Sequence, residues 1–144
     1  MQSLKTESEK YKKEYPKRNV AMVGLINEGG QILLTRTTKL PQSWHAIGGG
    51  IDPEDESPEA AVVREVKEEL DITLDPKELK FVITVPYDFG EGSIHYYSAH
   101  LSKDAELQVD EGEIAELRWF PLREAKELSI YDALRTFLSE LEKG

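Results

Sequence analysis

The stretch GIDPEDESPEAAVVREVKEELDI, residues 50–72, decides how this chain is read. Three of its carboxylates, Glu65, Glu68 and Glu69, stand at i, i+3 and i+4. On a helix that spacing puts them on one face, with neighbouring Cβ atoms about 5–6 Å apart. Like charges so close repel and call for a compensating cation. Oxygen-only ligands suit a hard divalent ion, Mg²⁺ with Mn²⁺ as a substitute. The segment is also written as a helix. Ser57 offers a capping oxygen and Pro58 takes the first helical position. Val62, Val66 and Leu70 form a stripe at i, i+4 and i+8, angularly separate from the glutamates. His45-Ala46-Ile47-Gly48-Gly49-Gly50 leads in as a glycine-rich turn, where missing side chains let backbone groups approach a ligand.

This stretch resembles the signature of the Nudix hydrolases, Gly-x5-Glu-x7-Arg-Glu-U-x-Glu-Glu-x-Gly-U, with U a bulky aliphatic. Gly50, Glu56, Arg64, Glu65, Val66, Glu68, Glu69 and Ile72 match, eight of the nine specified positions. At average residue usage such a coincidence is on the order of 10⁻⁸ per start point, so a merely solvated acidic helix is a poor account of it. Two positions depart: the signature's last glycine is Asp71, and the proline common just upstream is Ile47. Asp tolerates the left-handed conformation that glycine usually supplies at a helix end, so the helix should still close there.

The resemblance implies an α/β fold, the Nudix-type α/β/α sandwich with a mixed β-sheet, over roughly residues 19 to 142. It implies that Glu65, Glu68 and Glu69 hold divalent cations, with a backbone carbonyl of Gly49 completing the shell. Gly50 is structural, and Arg64 pairs with Glu56 to fix the loop against the helix. Glu113, six residues before Trp119, is the first choice of general base and Glu111 the second, against the reading of an acidic surface turn. Arg36 would face substrate phosphates or stand on the surface. Trp44 would stack on a base or pack under the glycine loop. Tyr87, Tyr96 and Tyr97 are candidate pocket walls. Alternation along a strand sends Tyr96 and Tyr97 to opposite faces, so at most one lines the cleft. His45, His95 and His100 show no zinc-like spacing.

The remaining elements follow from hydrophobic pattern. Val20–Ile26 and Gln31–Arg36 read as strands joined at Asn27-Glu28-Gly29-Gly30, a hairpin. Lys80–Val85, Ile94–Leu101 and Ala115–Phe120 read as further strands. Ile130, Leu134, Phe137, Leu138 and Leu141 fall at helical spacing. Residues 1–18 are an N-terminal arm or short helix, and residues 19–144 form one domain.

Composition narrows the function. The chain has 144 residues, no cysteine and a net charge of −10. An acidic surface repels nucleic-acid backbones and anionic membranes, so a nucleic-acid polymer or a membrane is not the expected partner. A bound cation and a few local basic residues still admit a small phosphorylated nucleotide. Absent cysteine, a polar N-terminus and no apolar run of membrane length favour a cytoplasmic protein. Monomer and homodimer both stay open. The expected reaction is metal-dependent hydrolysis of a phosphoanhydride in a nucleoside diphosphate linked to another moiety: a nucleotide triphosphate, an ADP-ribose-like compound or a dinucleoside polyphosphate. The rival from another class is a nucleotide-sensing module of the same fold without turnover. A third reading, an isomerase of this fold that needs a cysteine, fails in a cysteine-free chain.

Overall fold

The computed structural model describes residues 3–144. The strands are β1 (Val20–Ile26), β2 (Gln31–Thr37), β3 (Ile47–Gly50), β4 (Lys80–Pro86), β5 (Ser93–His100) and β6 (Ile114–Pro121). The helices are α1 (Leu4–Glu14), α2 (Pro58–Leu70), the single turn α3 (Leu122–Ala125) and α4 (Asp132–Lys143).

Seven uncharged residues in a row make β1 the central strand, covered on both faces. Val20 and Met22 face one apolar cluster, while Ala21, Val23 and Leu25 face the other. The sheet runs β4-β5-β1-β2-β6 and is mixed: β5 lies parallel to β1, and the outer pairings are antiparallel. The β1–β2 turn is held by Asn27 Oδ1, which accepts from the N–H groups of Gly29 at 2.9 Å and Gln31 at 3.1 Å.

The glycine-rich segment is not a turn. Ile47–Gly50 is a strand, antiparallel to β1 from Val20 to Val23. One edge of β1 is therefore shared: β3 pairs with its first half, and β2 pairs only at Leu25 and Ile26. The sheet forks where β2 and β3 part, and a cleft opens at that fork.

Helix α2 covers one face. Ala61, Val62, Val66 and Leu70 are fully buried against Val23, Leu25, Leu33 and Ile47. Val62, Val66 and Leu70 each contribute roughly 1.5–3 kcal/mol by leaving water. Ser57 Oγ accepts from Ala60 N at 3.1 Å to start the helix. Asp71 ends it in the left-handed region, φ 57° and ψ 38°, where the family pattern has glycine. Helix α4 covers the other face through Leu134, Phe137 and Leu138, with Phe137 stacked on Tyr96 at 4.4 Å. Ile130 is buried too, but precedes the helix.

Residues 4–14 are helical, and α1 docks in an unusual way. Its one buried residue is Glu7, 2% exposed. That carboxylate accepts from Gln42 N at 2.6 Å, Ser43 Oγ at 2.6 Å and Tyr131 OH at 2.7 Å. Three donors satisfy a charge that would otherwise be costly to bury. Among the described residues, no helix is long and apolar enough to cross a membrane.

Candidate active site

A cavity of about 400 Å³ opens at the fork, with an acidic wall on one side and an aromatic, cationic wall on the other. The acidic wall begins with Glu65, Glu68 and Glu69 of α2. The chain past Leu101 returns along the end of α2 and satisfies its last carbonyls: Gln108 N donates to Leu70 O and Asp110 N to Glu69 O, each at 3.0 Å. Asp110 then closes a turn, accepting Gly112 N at its Oδ1, 3.0 Å, and Ile114 N at its carbonyl, 2.8 Å. Thr38 N donates to Glu113 O at 2.9 Å and pins the turn from the far side. Glu113 is thereby carried to the helix glutamates. One carboxylate oxygen each of Glu65, Glu69 and Glu113 come within 4.8 Å of one another. Glu68 lines the same cavity but is largely exposed.

Electrostatics at this wall are unfavourable as they stand. Burial pushes the Glu69 carboxyl up to about 9, and the neighbouring charges of Glu65, Glu113 and Glu68 push the same way. Burial raises Glu65 also, with Arg64 opposing. Glu69 Oε2 is buried and has no hydrogen-bond partner. At Gly49 a Cβ would lie 2.8 Å from Glu65 Oε1, so glycine keeps room beside that carboxylate. Convergent oxygens, an orphaned acceptor and a side-chain-free strand beside them fit a hard divalent cation.

Arg64 holds the site together, with a different partner from the expected one. Its Nε donates to Asp55 Oδ1 at 3.0 Å and its Nη2 to Asp55 Oδ2 at 2.9 Å. Nη2 also reaches Gly50 O at 3.1 Å, and Nη1 reaches Glu65 Oε1 at 3.0 Å. Glu56 is exposed and outside this network. The turn explains the exchange: Asp52 N donates to Asp55 Oδ2 at 2.7 Å and Asp55 N to Asp52 O at 3.0 Å, which rolls Asp55 inward.

Arg36 and Trp44 do not line the cavity. On β2 the cavity side belongs to Thr35 and Thr37, so alternation turns Arg36 away. It pairs with Glu116 on β6 and lies 5.1 Å over the Trp44 ring. Trp44 is buried edge-on against Phe120 at 4.9 Å. Tyr87 does line the cavity, its hydroxyl donating to Tyr15 O at 2.8 Å. Tyr96 lines it as well, while Tyr97 faces the other cluster. His45 lies in the cavity wall, and burial holds its pKa down at about 4. Its Nε2 is 2.7 Å from Ser43 Oγ, whose proton is committed to Glu7, so Nε2 carries the hydrogen of the neutral ring. Among the described residues, no histidine joins the carboxylate cluster.

The opposite wall was not foreseen. It comes from Tyr11, Tyr15, Arg18, Lys39 and Asp88. A signal existed: Glu7, Tyr11 and Tyr15 recur at i, i+4 and i+8, one stripe of a helix that otherwise reads as charged all round.

Residues 15–141 match the family model described as the NUDIX domain. Among curated relatives, the NAD-capped RNA hydrolase NudC of Mycobacterium bovis is 27% identical over 114 residues, covering 78% of this chain and 36% of that protein. The chain thus spans little more than a third of the length of the curated relatives it first matches. Among solved structures, a MutT NUDIX hydrolase from Burkholderia pseudomallei superposes with a TM-score of 0.71 at 25% identity, covering 87% of this chain and 98% of that one. An Ap4A hydrolase from C. elegans superposes with a TM-score of 0.72 at 24% identity over 88% of this chain and 96% of its own, which speaks to fold alone.

Proposed function

The chain belongs to the NUDIX family, and from that premise we propose that it is a metal-dependent pyrophosphohydrolase acting on a nucleoside diphosphate linked to another moiety. The observation that carries the reading is the meeting of Glu65, Glu69 and Glu113 in a cavity at the sheet fork. Those three residues would hold Mg²⁺ or Mn²⁺, with Glu68 and the Gly49 carbonyl as further donors. When bound, the cation neutralises phosphate charge and lowers the pKa of a water that attacks phosphorus. The protein's own part is positioning. Arg64 ties Gly50, Asp55 and Glu65 into one unit, so strand, turn and helix present their oxygens together. Glu113 adds charge from a turn anchored at both ends and serves as ligand rather than as a base swinging in from outside.

A cavity of about 400 Å³ is at the small end of ligand sites and suits a nucleotide-sized molecule. Nucleotide triphosphates, ADP-ribose-like compounds and dinucleoside polyphosphates all offer the required phosphoanhydride. So does the capped end of an RNA of the kind named for the mycobacterial relative, although a net charge of −10 disfavours a long polymer. Release of phosphate or nucleoside monophosphate from these compounds, with and without Mg²⁺, is the test. Cation-dependent turnover of one of them is expected. Tight binding with no turnover at any metal concentration would convert the reading to a nucleotide-sensing module.

A further inference from the structure

Arg18 stands apart from the other arginines of the site. The chain carries ten more acidic than basic side chains, yet this half-buried guanidinium forms no ion pair among the described residues. It is nonetheless held firmly. Its Nη1 donates to Tyr11 OH at 2.7 Å, and the guanidinium lies 4.6 Å over the Tyr15 ring. Lys39 Nζ approaches the same ring at 4.7 Å while paired with Glu14 at 2.7 Å. The backbone is fixed as well, Arg18 N donating to Glu91 O at 2.8 Å. Nε and Nη2 lie over Gly50, where a Cβ would come within 2.8 Å of each, and neither has a protein acceptor among the described residues. Gly49 and Gly50 are neighbours on β3, so Glu65 and Arg18 flank that strand on its two faces while bordering one cavity.

A fixed, charged fork with unused donors in a cavity is a receptor for an anion, and its planar geometry matches two oxygens of a phosphate. The acidic wall cannot receive an anion except through a cation, so the two walls serve different groups of one ligand. We propose that Arg18 binds a phosphate of a nucleoside diphosphate directly, on the far side of β3 from the Glu65–Glu69–Glu113 cluster, with Tyr11 and Tyr15 of the N-terminal helix segment holding the guanidinium in place. This rests on the nucleotide-hydrolase reading for the class of ligand, but needs no metal and no turnover. The segment that precedes the sheet then becomes a recognition element, and Arg18 takes the role expected of Arg36.

Calorimetric titration with ADP and with adenosine, in EDTA, separates this from the hydrolase reading. Wild-type protein should bind ADP more tightly than adenosine. Arg18→Gln should weaken ADP about 10–100-fold, the range of a charge-assisted bidentate contact, and leave adenosine unchanged. Arg18→Lys should recover part of the loss, and Arg36→Gln should bind ADP as wild type does. Melting curves of all four proteins show whether each is folded. Equal ADP affinity in wild type and Arg18→Gln overturns the proposal. So does an equal loss in Arg36→Gln, a parallel loss of adenosine, or a wild-type protein with no preference for ADP. Arg18-dependent binding without turnover would leave this inference standing and remove the hydrolase.

Discussion

Asp55 grips Arg64 with two parallel hydrogen bonds, Nε to Oδ1 at 3.0 Å and Nη2 to Oδ2 at 2.9 Å, and the same guanidinium reaches the last carbonyl of β3, Gly50 O, at 3.1 Å. The pair therefore joins strand, turn and helix. Arg64→Gln and Asp55→Asn should each lower the melting temperature by roughly 5–10 °C, and the two together should fall well short of additive. Glu56→Gln should leave it within about 2 °C and add independently to Arg64→Gln. A thermal double-mutant cycle that couples Glu56 instead of Asp55 would refute this pairing.

Glu69 is 3% exposed and has an oxygen with no partner. Glu69→Gln should cut turnover by about 10²–10⁴-fold and weaken Mn²⁺ at least roughly tenfold, since a neutral amide is a poor ligand for a hard cation. Stability without metal should hold or rise, because a buried acid has been replaced by a neutral group of the same shape. Metal titration and melting curves measure the two effects separately. Normal turnover at saturating Mg²⁺ would move the metal elsewhere.

Glu113, Glu111 and Glu116 differ sharply in place, although they are close in sequence. Glu113 meets the helix glutamates, Glu116 is engaged by Arg36, and Glu111 is exposed. Glu113→Gln alone of the three should lower turnover about 10²–10³-fold, with Mn²⁺ affinity falling alongside. Turnover lost at unchanged Mn²⁺ affinity would make Glu113 a proton acceptor instead of a ligand.

Asp88 supplies a pH test away from the metal cluster. It accepts Ala133 N at 3.0 Å at the start of α4, and burial pushes its pKa up to about 6, with Asp132 adding to the shift. The folded state thus holds this proton more tightly than the unfolded chain does. Stability from this group is present below the ordinary aspartate range and is lost as pH rises to about 6. Asp88→Asn keeps an acceptor without the charge, so it should gain ~1–3 kcal/mol over wild type above that pH and nothing near pH 3. Denaturant melts at pH 3 and pH 8 check the sign.

The sequence was legible wherever the cause was local. Ser57, Pro58 and the Val62–Val66–Leu70 stripe determine α2 by themselves, and Asp71 closes it in the conformation its chemistry allows. Causes that are distant in sequence were hidden. Strand β3 is nearly all glycine, so its partner β1 alone makes it a strand. Arg36 alternates with Thr35 and Thr37 as any strand residue must, but which side held the cavity depended on the fork in the sheet. The choice between Asp55 and Glu56 turned on one tight turn at Asp52, below the reach of a spacing pattern. Arg18 was unmarked because its neighbours come from Tyr11, Tyr15 and Gly50, which no linear motif joins.

Helix α1 has no fully buried apolar residue of its own; the Glu7 carboxylate with three hydrogen bonds and the half-buried Tyr11 ring, 4.6 Å from Phe89, dock it. Detaching it uncovers Tyr11 and the Phe89 ring beneath it but leaves the sheet and its two covering helices intact, so its opening free energy is a fraction of the global one. Its amides should exchange with solvent through local opening, while those of β1 wait for complete unfolding. A ligand seated against Arg18 engages only molecules with the helix in place, so its apparent affinity is scaled by the docked fraction. One side of the pocket is thus an equilibrium instead of a fixed shape, and a substitution at Ser43, which is buried outside the cavity lining, would alter ligand affinity without touching the ligand.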